Sequence, residues 1–129
     1  MDLLTASLSG HDKAIELLIS KGAGINAQGG HYGNMLQAAS YKGHYKTVEL
    51  LLSKGADANM QGGHYGNALQ AASYKGHYKT VELLLSKGAD ANTQGGYYGN
   101  ALQAASLGSH NKTVELLLSK GAVVTNQRE

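Results

Sequence analysis

The sequence predicts an all-α solenoid of stacked helix-turn-helix repeats with projecting loops or hairpins. Three observations carry that expectation. The 33 residues from His31 to Gly63, HYGNMLQAASYKGHYKTVELLLSKGADANMQGG, recur from His64 to Gly96 with only Met35 against Ala68 and Met60 against Thr93 changed. Each copy holds two short apolar stretches bounded by helix-start and helix-stop residues, and segments rich in Gly, Asn and Asp join one copy to the next. A fixed period of this length marks units that bury their apolar faces only against their neighbours.

The chain divides into one domain, 1–129, of four units: 1–30, 31–63, 64–96 and 97–129. The first is truncated, and aligns when Leu3 is laid on Leu36. In that frame Met1 stands where Asn34 would, so the first unit is expected to lack an Asn cap.

Within a complete unit Asn34 precedes Leu36, Ala38 and Ala39, and Gln37 follows it by three, an Asn-x-x-Gln variant of the capping box. A short helix should start there and run to Lys42, because Gly43 supplies the left-handed residue that ends helices. Its alanines and serine leave room for a close neighbour. A second helix should begin near Tyr45, with Val48, Leu51 and Leu52 on one face and Lys46 and Glu49 turned outward. Lys54 in its last turn meets the negative end of the helix dipole, and Gly55 stops it. Helices this short are marginal alone, so stacking has to stabilise them. The following stretch, GADANMQGGHYG, cannot continue a helix and should project as a loop or hairpin, bending most sharply at Gly62 and Gly63 and at their counterparts Gly29, Gly30, Gly95 and Gly96.

The last unit departs from the pattern. Leu107-Gly108 replaces Tyr74-Lys75, Ser109 replaces Gly76, and the apolar Val114 and Leu116 to Leu118 persist, which leaves that end poorly sealed. The chain is therefore expected either to be a segment of a longer array or to associate end to end.

Composition narrows the chemistry. The chain is 42% apolar without Phe, Trp, Pro or Cys, so its interior must be Leu, Ala, Val and Ile. Absence of cysteine removes disulfides, thiolate zinc sites and cysteine nucleophiles. Eleven Lys and Arg against nine Asp and Glu give a net charge of +2, with the lysines spread through the repeats, which argues against nucleic acid as a partner. No window approaches the roughly 18 apolar residues of a membrane span, and the N-terminus lacks the pattern of a secretion signal. These features predict an intracellular, cytoplasmic protein.

The recurring GHYKTVELLLSKGADAN, with Gly-His at Gly10-His11, Gly43-His44 and Gly76-His77, resembles the ankyrin repeat across the whole chain. The wording YGNALQAAS resembles near-identical ankyrin arrays of large fungal repeat proteins. The resemblance implies an ankyrin-type solenoid that binds a protein partner on the concave face made by the loops and first helices. Two departures stand out. Where the family has Thr-Pro-Leu-His, this chain has Asn-Met-Leu-Gln at Asn34 to Gln37 and Asn-Ala-Leu-Gln at Asn67 to Gln70 and Asn100 to Gln103. Gln37, Gln70 and Gln103 are expected to bond the backbone of adjacent loops, as a glutamine amide offers both donor and acceptor. In the loop, Tyr32, Tyr65 and Tyr98 occupy the family's turn glycine, and glycine follows one residue later.

Candidate contact residues follow from this frame. His31, Tyr32, His64, Tyr65, Tyr97 and Tyr98 lie on the projecting loops, where few structural duties are expected. Tyr41, Lys42, Tyr74, Lys75 and Leu107 close the first helices, at positions that line the concave face in the resembled family. All eight aromatic residues are tyrosine, a rigid flat side chain with a hydroxyl that binding surfaces favour. Tyr45 and Tyr78 are expected to pack over the outer edge.

His11, His44, His77 and His110 also recur, but stacked helices lie about 8–10 Å apart, whereas two imidazoles sharing zinc must each approach to roughly 2.1 Å. A structural role is expected for them, and no metal or other cofactor. No phosphate-binding GxxxxGK[ST] loop, HExxH or distinctive carboxylate pair is present, so neither an enzyme nor a small-molecule substrate is expected. The alternative to a protein-interaction module is an engineered or consensus-like scaffold or spacer with no partner of its own, which the near-identity of the two middle units recommends.

Overall fold

The computed structural model describes residues 2–124. Among them are eight helices: α1 (Leu3–Ser9), α2 (Asp12–Ser20), α3 (Met35–Lys42), α4 (Tyr45–Ser53), α5 (Ala68–Lys75), α6 (Tyr78–Ser86), α7 (Ala101–Leu107) and α8 (Asn111–Ser119). They form an inner row, α1, α3, α5 and α7, and an outer row, α2, α4, α6 and α8, with each member packed on the next of its row. The fold is the all-α solenoid predicted.

Inner helices pack closely because their buried faces are small: Ala38, Ala39, Ser40, Ala71, Ala72 and Ser73 are all fully enclosed. The outer helices supply bulk instead. Ile15, Leu51, Leu84 and Leu117 are inaccessible to solvent, joined by Val48 and Val81, and each such side chain contributes about 1.5–3 kcal/mol of burial. Leu52 is only partly buried at the rim of this core. No helix among the described residues is long and apolar enough to cross a membrane.

The Asn caps form as predicted, with Asn34, Asn67 and Asn100 accepting from the backbone N–H of Gln37, Gln70 and Gln103 at 2.8–2.9 Å. For Gln37 and Gln70 the reciprocal half of the capping box does not form. Gln37 instead donates through Nε2 to Gly62 O of the next unit at 2.8 Å, and Gln70 donates to Thr93 O at 3.3 Å. The expected bonds to adjacent loops are thus present for Gln37 and Gln70; the loop that would receive Gln103 lies outside the described residues. The first unit is capped after all. Asp2 accepts from Thr5 N at 2.8 Å, one position later in the repeat frame than Asn34, which starts α1 at Leu3.

Glycines with φ near 72°, Gly43 and Gly76, end α3 and α5. They also make room for the next unit: a Cβ on Gly43 would sit 2.6 Å from the His77 ring. The imidazoles placed there reach backwards, His44 Nε2 to Leu8 O and His77 Nε2 to Tyr41 O, both at 2.9 Å. Each histidine therefore ties its unit to the last turn of the preceding inner helix. Burial holds the His77 pKa below its ordinary 6.5, against the opposing pull of the Tyr41 carbonyl and with the help of the Lys75, His110 and His44 charges. The unfolded chain then binds this proton more readily than the folded one, so stability is full above about pH 6.5 and declines as pH falls through that value. Following the unfolding midpoint from neutral to mildly acid pH should show a shallower decline for His77→Gln than for the parent. Equal slopes would remove His77 as a source of acid sensitivity.

Asparagines complete the inter-unit ties on the far side. Asn26, Asn59 and Asn92 each donate to the glycine carbonyl of the next unit, Gly55, Gly88 and Gly121, at 2.9–3.2 Å. The same side chains accept from Asp57, Asp90 and Val123 N at 2.8 Å. In the last unit the left-handed position after the inner helix is held by Ser109, φ 60°, the one non-glycine residue of positive φ among those described.

Candidate partner-binding face

Each connecting segment is a small hairpin. Antiparallel bridges join Gly29 to Gly33, Gly62 to Gly66 and Gly95 to Gly99, with N–H to carbonyl distances of 2.7, 2.9 and 2.8 Å. The bend therefore runs over Gly30-His31-Tyr32, Gly63-His64-Tyr65 and Gly96-Tyr97-Tyr98, so the second glycine of each pair lies in it with φ near 71°, while the first forms the bridge. The second glycine of each later pair also makes room for the neighbouring hairpin. The hairpins touch one another, His64 N donating to His31 O at 2.7 Å and Tyr97 N to His64 O at 2.8 Å. That approach leaves no space for a side chain at Gly63 or Gly96.

Hairpin tips thus stand at the spacing of paired strands, about 4.8 Å, while the helices beneath them need about 8–10 Å. The array has to curve toward its hairpins. The tips and the inner helices become its concave side.

Aromatic rings tile that side in two files. In the first, His31 stacks on His64 with centroids 4.8 Å apart, and His64 on Tyr97 at 5.0 Å. In the second, Tyr32, Tyr65 and Tyr98 stack at 6.3 and 6.2 Å. Inner-helix tyrosines fill the gaps, Tyr41 lying 5.4 Å from Tyr32 and 4.9 Å from Tyr65, and Tyr74 lying 4.4 Å from Tyr98. Edge-to-face contacts at 4.8–5.1 Å join each loop residue of the first file to the tyrosine after it. Such pairings are the geometry that ring quadrupoles favour.

The expectation that His31 and His64 carry few structural duties fails here, because strand-like spacing brings their rings into register. Tyr65 is only 6% exposed and packs inside the second file. Burial first, and a hydroxyl bond with Tyr41 second, raise its pKa well above the ordinary value. The Tyr98 hydroxyl, bonded to that of Tyr74, is pushed up to about 12. These phenols remain neutral donors throughout the physiological range.

The other candidates remain accessible to different degrees. Tyr32, Tyr41, Tyr74, Tyr98 and His64 are half-buried, while His31, Lys42 and Lys75 are exposed. Tyr97 is 74% exposed at the end of its file. The Lys75 ammonium lies 5.2 Å from the Tyr41 ring centroid, a cation–π contact that bridges two units. Leu107 is 65% exposed and lines an apolar cleft of about 430 Å³ with Leu102, Val114, Leu118 and Val124. Tyr45 and Tyr78, roughly two-fifths exposed, lie on the outer row away from the ring files.

Charge divides between the two sides. No Asp or Glu occurs in 28–42, 61–75 or 94–108, the stretches that build the hairpins and the three following inner helices. Carboxylates such as Glu49, Glu82 and Glu115 sit on the outer row beside Lys46, Lys79 and Lys112.

Sequence reasoning located the tyrosines but missed their mutual stacking. The signal available was the unbroken 33-residue period through paired glycines, which permits backbones to meet and so sets equivalent rings one strand spacing apart. Among known proteins, a family model described as Ankyrin repeats (3 copies) matches residues 3–62 and 35–128. No curated protein matches the chain.

Proposed function

The chain belongs to the ankyrin repeat family, whose repeats are generally protein–protein interaction modules, and from that premise we propose that it binds a protein partner on its concave side. One observation carries this reading. Six of the eight tyrosines gather on that side, and their mutual packing holds them rigid, so little side-chain entropy remains to be lost on binding. Tyr41 and Tyr74 are the central contacts, with Tyr32, Tyr98, Tyr97, His31 and His64 along the hairpin margin and Lys42 and Lys75 at the helix ends.

Replacing Tyr41 and Tyr74 together with alanine should weaken capture of a partner from the cognate proteome by about tenfold or more, as loss of buried tyrosine anchors does. The helical circular dichroism should stay unchanged. Undiminished capture by the folded double variant would refute this surface.

Near-identity of the two middle units favours a second reading, a spacer or consensus-like scaffold with no partner of its own. On that reading tyrosine-dependent capture is not found at all.

A further inference from the structure

We propose that the concave face takes an extended acidic peptide whose carboxylates, three residues apart, pair with Lys42 and Lys75. This deepens the protein-binding reading above and rests on it.

Three observations converge. The hairpins and inner helices from Gln28 onward carry cations and no carboxylate, so an anionic ligand meets attraction there without a competing like charge. Lys42 and Lys75 occupy the same place in consecutive units, at the ends of α3 and α5. Lys75 is also drawn over the Tyr41 ring, which restrains it toward its neighbour and limits the freedom it loses on pairing. The series stops at both ends, where Ser9 and Gly108 take the lysine position, so the register admits two charges.

Spacing selects the ligand. Consecutive inner helices stand about 8–10 Å apart, and three residues of extended polyproline II chain, one full turn, rise about 9 Å and return the side chain to the same face. A peptide running along the array therefore brings residues i and i+3 over successive lysines. A single-stranded nucleic acid is the weaker fit, because such ligands bind by stacking bases on open aromatic faces and by many phosphate contacts together. Here the ring faces are largely taken up by one another, and only two lysines are offered.

The test uses the full chain and a dye-labelled Gly/Ser peptide with two glutamates three residues apart, followed by fluorescence anisotropy at low and moderate salt. An isomer with adjacent glutamates and a single-stranded oligouridylate serve as comparison probes. The spaced peptide should bind best, weaken with salt, and lose about five- to tenfold in affinity with Lys42→Gln plus Lys75→Gln. Lys46→Gln plus Lys79→Gln, the same charge change on the outer row, should leave binding within about twofold. Equal binding of both peptides, equal loss in both lysine pairs, tighter binding of the oligouridylate, or no binding of the spaced peptide would each overturn the proposal. If partner capture still depends on Tyr41 and Tyr74 in those cases, the acidic specificity alone is wrong. If that dependence is also absent, the protein-binding reading falls with it.

Discussion

Gly63→Ala should destabilise the array by roughly 3 kcal/mol, far more than a glycine-to-alanine change at an ordinary turn. Gly63 has φ 71°, where a Cβ costs about 1–2 kcal/mol. Its Cβ would also stand 2.5 Å from Gly33 N and 2.7 Å from His31 O, backbone atoms of the preceding hairpin that no rotamer change can move aside. Relief requires the hairpins to part, breaking the His64 N to His31 O bond and opening the ring files, and overpacking of this kind adds about 1–3 kcal/mol. Gly55 provides the comparison. Its φ is 101°, yet nothing lies within 4 Å of a Cβ there, so Gly55→Ala should cost only about 1 kcal/mol of backbone strain. Thermal unfolding would separate the two, since 1 kcal/mol corresponds to about 3–4 °C at this size. Equal shifts for the two variants would mean that the hairpins do not pack as described.

Tyr65→Ala should cost about 3 kcal/mol, whereas Tyr97→Ala should cost about 0.5 kcal/mol or less. Both are loop tyrosines of neighbouring hairpins, Tyr97 standing at the His64 position of its unit, but their surroundings differ. Tyr65 touches rings on every side, those of His31, His64, Tyr32, Tyr41, Tyr74 and Tyr98, and truncation would leave a void in the middle of the files. Tyr97 has one stacked neighbour and one edge contact, with most of its surface in solvent. Tyr65→Phe keeps the ring and its stacked and tilted neighbours, so it should retain most of that stability. Chemical denaturation of the three variants measures these differences. A Tyr65→Ala protein as stable as Tyr97→Ala would show that the files contribute nothing to folding, and would return Tyr65 to the pool of simple contact residues.

This contrast also bears on how binding should be probed. Loss of binding on replacing Tyr65 reports the integrity of the whole face, whereas Tyr41 and Tyr74 lie at its surface and test contact more directly. The lysines offer the cleanest probe, being exposed and uninvolved in the ring stacking except through the Tyr41 face.

Much of the architecture was legible in the chain itself. A repeated period, the Asn caps, the glycines that end the inner helices and the helical spacing of Val48 and Leu51 determine eight short helices in two rows, because each signal acts within a few residues of backbone. The placing of tyrosines on a concave side came from the resemblance to ankyrin repeats, not from the period itself. Other features were decided only by one unit meeting the next. Gln37 and Gln70 abandon the local capping bond for a carbonyl in the neighbouring hairpin, His77 reaches back to Tyr41 O, and loop rings join into files because their hairpins hydrogen-bond at strand spacing. Asp2 takes up a cap that its place in the repeat did not announce. The physical reason is common to all of these. Caps and periodicity are local and recur in every copy, but the partner of a side chain at an interface depends on the distance between copies, which helix bulk on one side and backbone pairing on the other settle together.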